Sequence, residues 1–360
     1  MKTKIFKRIT AAMLAAVMTV TSVSASAESV NKEEKYTIEE YIMEVTPVYL
    51  ASRNFDASST YYASNIFEVD NSDPPRYYSF IFQDNDISGK LEINFVDGNY
   101  YSVFDTDIQS EIKEMYVKNE EIAFVVNNNN TFVVSETSAV AIDSIEKADF
   151  VGNASLQTPI TKTTPIEYNL IVNASANARS ASLGSKTLSN FSFVPNQDTG
   201  SGYVLCWAAC VAMTVNYLLG YTPSSSNFIY ADDVSKAVGT TTGTNSAVKN
   251  AYTKYGYTAN NTNGPSNPNT VFQKLSSGKP VHINVQDSDQ GLTHALEIYS
   301  IYIYTDKTVS TFYDTSILNC TPHSVIASGN PTQTSSSFLY VHTYSGVSYS
   351  MEWITTFFIA

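Results

Sequence analysis

Cys206 stands where a thiol can be turned into a nucleophile. It opens the run Cys206 to Leu219, CWAACVAMTVNYLL, whose only polar side chains are Thr214, Asn216 and the Tyr217 hydroxyl, and Gly220 supplies the left-handed residue that stops a helix. The run predicts a buried helix, roughly 21 Å long, with Cys206 at its N-terminus. Unpaired backbone N–H groups and the positive dipole end favour a thiolate there. The loop before it, Asp198-Thr199-Gly200-Ser201-Gly202, can bring Gln197 back over the sulfur as an amide donor, half of an oxyanion hole. A cysteine in an apolar helix is otherwise a small packing group, and that reading is kept for Cys210, one turn deeper.

A thiolate nucleophile needs a base, and the histidines available are His282, His294, His323 and His342. His282 lies inside the alternating segment Val281-His282-Ile283 and His342 inside Leu339 to Tyr344, where an imidazole packed in a sheet is the default. His323 falls in a Pro-containing segment after Cys320, read as a loop. His294 joins a polar, Gly-containing loop to the apolar segment Ala295 to Ile303, and side chains at such strand ends are commonly presented for chemistry. His294 is therefore the candidate base.

The elements that must position these groups differ between the two halves of the chain. Residues 28–180 read as one amphipathic helix from Lys35, with Thr37 at its cap and Pro47 as its terminator, followed by short strands between Tyr77 and Ile142. Asp84-Asn85-Asp86, Asp97-Gly98 and Asn127 to Asn130 read as tight turns, so this half is an antiparallel sheet with a helix. It has no His or Cys, and reads as a propeptide or accessory module. From Asn153 to Ser192 the composition shifts to Ser, Thr, Asn and Ala, which suits either a passive linker or an exposed processing site near Arg179. Residues 181–360 then read as helices first and sheet second: short helices over 232–239, 246–255 and 267–277, a strand over Pro280 to Val285, a hairpin over 294–313 and closing strands to Ala360. The fold class is α+β.

Composition narrows the function classes. The chain has 360 residues and a net charge of −13, with no basic patch after the first eight residues, which argues against a nucleic-acid partner. Lys2, Lys4, Lys7 and Arg8 precede an apolar stretch from Ile9 to Val20 and the sequence Ser24-Ala25-Ser26-Ala27, which predicts a signal peptide over 1–27 and an exported protein. No later segment approaches the ~20 apolar residues of a membrane span. The three cysteines, 206, 210 and 320, are no disulfide framework, whether or not Cys210 and Cys320 pair. No clustered ligand motif implies a metal or other cofactor.

Gln197, the Cys206-Trp207-Ala208-Ala209-Cys210 run, Gly278-Lys279-Pro280-Val281 before a strand, Thr293-His294-Ala295-Leu296 and a strand ending in Asp314 resemble the papain-like cysteine peptidases. The likeness is greatest to secreted bacterial members with a large β-rich propeptide, of the streptopain and bacteriocin-processing type, and covers roughly 193–360. It implies a papain-like catalytic domain acting on peptide or protein substrates, with Cys206 as nucleophile, His294 as base and acid, Asp314 orienting the imidazole and Gln197 in the oxyanion hole. It also implies that residues 28–180 cover the site as the chain's own propeptide. A regular hairpin about the turn signal Thr305-Asp306-Lys307 would put Asp314 opposite Ile298, roughly 13 Å along the strand from His294. The hairpin must therefore fold about residue 304 or contain a bulge, and Asn319 is the alternative orienting residue. The rival readings are a transglutaminase-like acyl transferase, which uses Cys, His and Asp in the same order, and a non-catalytic secreted binding module.

Overall fold

A computed structural model describes residues 37–56, 59–64, 66–70, 72, 75–84, 86–117, 122–127, 130–135, 138–142, 166–169, 182–195, 205–315, 322–328, 339–344 and 347–360. The expected signal peptide, Gln197, Arg179, Asn319 and Cys320 lie outside these residues. Residues 38–360 form one compact α+β unit, with six helices among the described residues and a large, mostly antiparallel sheet.

The first half begins with helix α1 (Ile38–Ser52), which runs through Pro47 where the sequence predicted a stop. Proline there removes one backbone hydrogen bond. The apolar face Ile42, Val45, Tyr49 and Leu50 is nevertheless buried on both sides of it, and the Tyr49 hydroxyl donates to the Ser102 carbonyl at 2.8 Å. Tertiary burial outweighs the local break. Strands β1 (Thr60–Ala63), β2 (Phe67–Asp70), β3 (Arg76–Gln83), β4 (Asp86–Val96) and β5 (Asn99–Asp105) follow, with helix α2 (Ser110–Val117) and strands β6 (Ala123–Asn127), β7 (Asn130–Val134), β8 (Ala139–Ala141) and β9 (Ile166–Asn169). The β4–β5 turn is the expected one, with Asp97 and Gly98 both at positive φ, 50° and 81°.

The second half carries β10 (Ser182–Thr187), α3 (Cys206–Leu219), α4 (Ala231–Val238), α5 (Asn245–Lys254), β11 (Ala259–Asn263), α6 (Pro268–Ser276), β12 (Val281–Gln286), β13 (Thr293–Tyr304), β14 (Lys307–Asp314), β15 (Pro322–Ser328), β16 (Leu339–Tyr344) and β17 (Val347–Ile359). Each predicted helix is present within two residues of its expected bounds. Two expectations are corrected. The linker-like stretch contains β9, which pairs with β1, and β10, which pairs with β13, and Leu188 and Phe191 just after β10 are buried. His323 lies in strand β15, not in a loop, and is buried.

Hydrogen-bonded neighbours run β11–β17–β12–β13–β14–β15–β5–β4–β3–β1–β9. The sheet is thus continuous across the two halves through the β15–β5 pairing, where Ser324 opposes Phe104 and Val325 opposes Val103. The cores interlock at the same place. Val103 packs into the core around α3, while Val309 belongs to the core under α1.

Candidate active site

Helix α3 forms because its residues can be buried almost all round. Every side chain from Cys206 to Asn216 is buried, which is why the run lacks the usual polar face. Its internal polar groups are paired. Asn216 donates through Nδ2 to the Ile229 carbonyl at 2.8 Å and accepts from the Ile229 N–H at 2.9 Å, and Thr214 donates to Glu297 Oε1 at 2.7 Å. The helix ends at Gly220 in the left-handed conformation, φ 70°, where the Tyr221 N–H reaches back to the Asn216 carbonyl at 2.8 Å.

At the other end, Leu205 is the N-cap and offers no side-chain hydrogen bond to the first turn. The donors there are free to serve the sulfur. The Cys206 sulfur lies beside the His294 ring and the Trp207 and Ala295 backbone N–H groups. Burial by itself would raise the thiol's pKa, but the hydrogen bond and charge of His294, with those two N–H groups, outweigh it and the net direction is down. Trp207 is held in turn. Its indole N–H donates to the Thr241 carbonyl at 3.1 Å, and Gly243 lies so close to the ring that an added Cβ would fall 2.6 Å from it.

His294 comes from the second position of β13, opposite Val285 of β12. Its Nε2 pairs with Asp314 Oδ1 at 2.8 Å, which leaves Nδ1 as the ring nitrogen for the thiol. Burial alone would lower the imidazole's pKa. The Asp314 carboxylate and the Cys206 sulfur overcome this and raise it from 6.5 to about 10.

Asp314 ends β14 as expected, and the hairpin solves the register problem by a bulge. The turn is the two-residue Thr305-Asp306, and from Ile303↔Thr308 to Ser300↔Thr311 the pairing is regular. Tyr299 is then left over, so that Ile298 opposes Phe312 and Asp314 opposes Leu296. Leu296 and His294 share a face of β13, and Asp314 reaches His294 along the diagonal. With Tyr299 paired in register, Asp314 would oppose Glu297 and point to the other face.

The geometry therefore brings together Cys206, His294 and Asp314, all buried, at 8%, 6% and 0% exposure. His282 and His323 are not among the groups around the sulfur. His282 is buried in β12, and its Nε2 meets Asn284 Oδ1 at 3.2 Å. Cys210 is a free thiol that packs in the core, and burial first, then the negative charges of Glu297, Cys206 and Asp314, push its pKa well up. The sequence reading passed over Glu297, Thr214 and the Ala295 N–H. The first had a visible signal, a carboxylate inside the otherwise apolar Ala295-Leu296-Glu297-Ile298. The Ala295 N–H had none, because a backbone donor is chosen by strand position alone.

No helix among the described residues is long and apolar enough to cross a membrane. No protein-family model and no curated protein matches the chain.

Proposed function

We propose that the chain is an exported cysteine peptidase with a papain-like catalytic half, made as a precursor whose residues 28–180 act as propeptide. The observation that carries this reading is the linked set Cys206–His294–Asp314, in which His294 pushes the thiol down and Asp314, then Cys206, push the imidazole up. A buried thiolate–imidazolium pair at a helix N-terminus is a nucleophile already charged for attack.

In the reaction, the Cys206 thiolate attacks a peptide carbonyl and forms a tetrahedral oxyanion. Gln197 and the Cys206 backbone N–H are assigned to hold that oxygen. His294 gives its Nδ1 proton to the leaving amine as the C–N bond breaks, and an acyl-enzyme remains. Neutral His294 then takes a proton from water, whose oxygen attacks the thioester and releases the acid. Asp314 keeps Nε2 bonded throughout, so Nδ1 stays aimed at the sulfur.

The test compares the chain from Glu28 onward with its Cys206→Ala variant, reading self-cleavage and hydrolysis of a denatured protein. The peptidase reading requires both in the first and neither in the second. Self-cleavage that survives the substitution would sink it. Acyl transfer to an added amine without net hydrolysis would assign the same three residues to a transglutaminase-like enzyme.

A further inference from the structure

One helical turn below the nucleophile lies a second buried polar group set that the proposed chemistry does not use. Cys210 of α3, His282 of β12 and Glu297 of β13 bring ligand-type atoms within 4.8 Å of one another, and all three residues are almost wholly buried, at 0%, 1% and 0% exposure. Two of their atoms, His282 Nδ1 and Glu297 Oε2, have no hydrogen-bond partner. Both are lone-pair acceptors if the glutamate is ionised. Two unpaired acceptors buried in the core each cost free energy unless something positive stands between them.

The surrounding bonds say where a proton fits. The Thr214 hydroxyl donates to Glu297 Oε1 at 2.7 Å. At the other end His282 Nε2 faces the Asn284 oxygen at 3.2 Å, so Nε2 carries the ring proton and Nδ1 is the open acceptor. One proton on Glu297 Oε2 completes a chain in which every donor points the same way.

We propose that Glu297 is held as a neutral carboxylic acid donating to His282 Nδ1, closing the relay Thr214–Glu297–His282–Asn284 that fixes the nucleophile helix against the base-bearing strand. The relay joins α3, β13 and β12. Glu297 follows His294 by three residues, and Thr214 follows Cys206 by two turns of α3, so Glu297 is a positioning residue for the pair above it. That part rests on the cysteine-peptidase reading; the protonation of Glu297 does not. The local charges agree. Burial drives the Glu297 carboxyl well above its usual range against the opposing Thr214 bond, and lowers the His282 pKa to about 4. The other titratable groups facing the relay are Cys210 and Tyr252, both pushed up by burial and hence neutral.

Glu297→Gln and Glu297→Ala in the full chain separate the possibilities. The glutamine amide can donate to His282 and its carbonyl can accept from Thr214, so Glu297→Gln keeps the unfolding midpoint near wild type, while Glu297→Ala lowers it. A glutamine variant as destabilised as the alanine one would overturn the relay, since an ionised carboxylate would then be needed. One equivalent of zinc in the purified wild type would overturn it too, by assigning the three side chains to a metal. Nitrogen NMR of the wild type, expected to show His282 as the neutral Nε2–H tautomer, decides the same point should the alanine variant not fold; an imidazolium there would contradict it. For positioning, Glu297→Ala is expected to lower kcat on a peptide by about tenfold or more with KM little changed, to shift the acid limb of Cys206 alkylation by iodoacetamide, and to be rescued in both by glutamine. A destabilised alanine variant with unchanged kcat and alkylation would overturn the positioning role. A wild type that hydrolyses no peptide would remove the peptidase reading, and the relay would be decided by the unfolding and NMR results alone.

Discussion

The charge carried by individual residues sets how the Cys206–His294–Asp314 set would respond to pH and to substitution. Asp314 and the Cys206 sulfur keep the His294 imidazole protonated well above its ordinary pKa of 6.5, up to about 10. Asp314→Asn keeps an acceptor for Nε2 and removes the charge, so the alkaline limb of the kcat/KM profile should move to lower pH. Asp314→Ala removes both and should lose on the order of a hundredfold in kcat, whereas Asn319→Ala should retain activity; the reverse result would give the orienting role to Asn319. His282 points the other way. Burial holds its folded pKa at about 4 against 6.5 unfolded, so between those values the unfolded chain binds more protons. Stability is therefore full above pH 6.5 and falls as pH drops toward 4, by up to about 1.4 kcal/mol per pH unit for this one site. Urea unfolding across that range should show the slope, and His282→Asn should reduce it.

Elements set the distances between those charges. The proposed nucleophile and base lie on α3 and β13, and a single extra residue, Tyr299, decides whether Asp314 shares a face with His294. The helix was legible in the sequence because burial on all sides leaves an unbroken apolar run, and Gly220 marked its end. The His294 strand was legible as an apolar run after a polar loop. The bulge was not, since nothing in Ile298-Tyr299-Ser300 distinguishes a paired residue from an unpaired one; the register is chosen by how β12, β10 and β14 all meet the same strand. The passage of α1 through Pro47 escaped for the same reason, because local rules favour a stop and burial of Tyr49 and Leu50 overrides them. The close approach of Gly243 to Trp207 gives a direct check on this packing. Gly243→Ala forces the indole beside Cys206 to move, and should cost about 1–3 kcal/mol in chemical denaturation and reduce the rate of Cys206 alkylation.

For the whole molecule, the notable feature is that the half proposed as propeptide is joined to the half proposed as catalytic by one sheet. Besides the β15–β5 pairing, Arg53 after α1 donates to the Pro322 carbonyl at 2.7 Å and to Thr106 Oγ1 at 3.0 Å, and Lys307 at the start of β14 pairs with Glu44 at 2.9 Å. The Lys307 contact lies at the start of the strand that ends in Asp314, and the Arg53 contact lies on the neighbouring strand, where Pro322 opposes Tyr313. Arg53→Ala leaves the Pro322 carbonyl without this charged donor and should weaken the junction by about 1–3 kcal/mol, seen as faster loss of the 38–142 region in limited proteolysis. Composition divided the chain near 180 by its chemistry, but could not reveal the shared strand edge, because unpaired edges carry no signature beyond ordinary β residues. The central claim remains the reactivity of one sulfur, and the most direct measurement is covalent: treat the wild-type chain with an epoxide thiol inhibitor near neutral pH and map the adduct by peptide mass spectrometry. The account predicts a single adduct on Cys206, none on Cys210, and its loss in His294→Ala; no adduct, or labelling of Cys210 equal to Cys206, would contradict it.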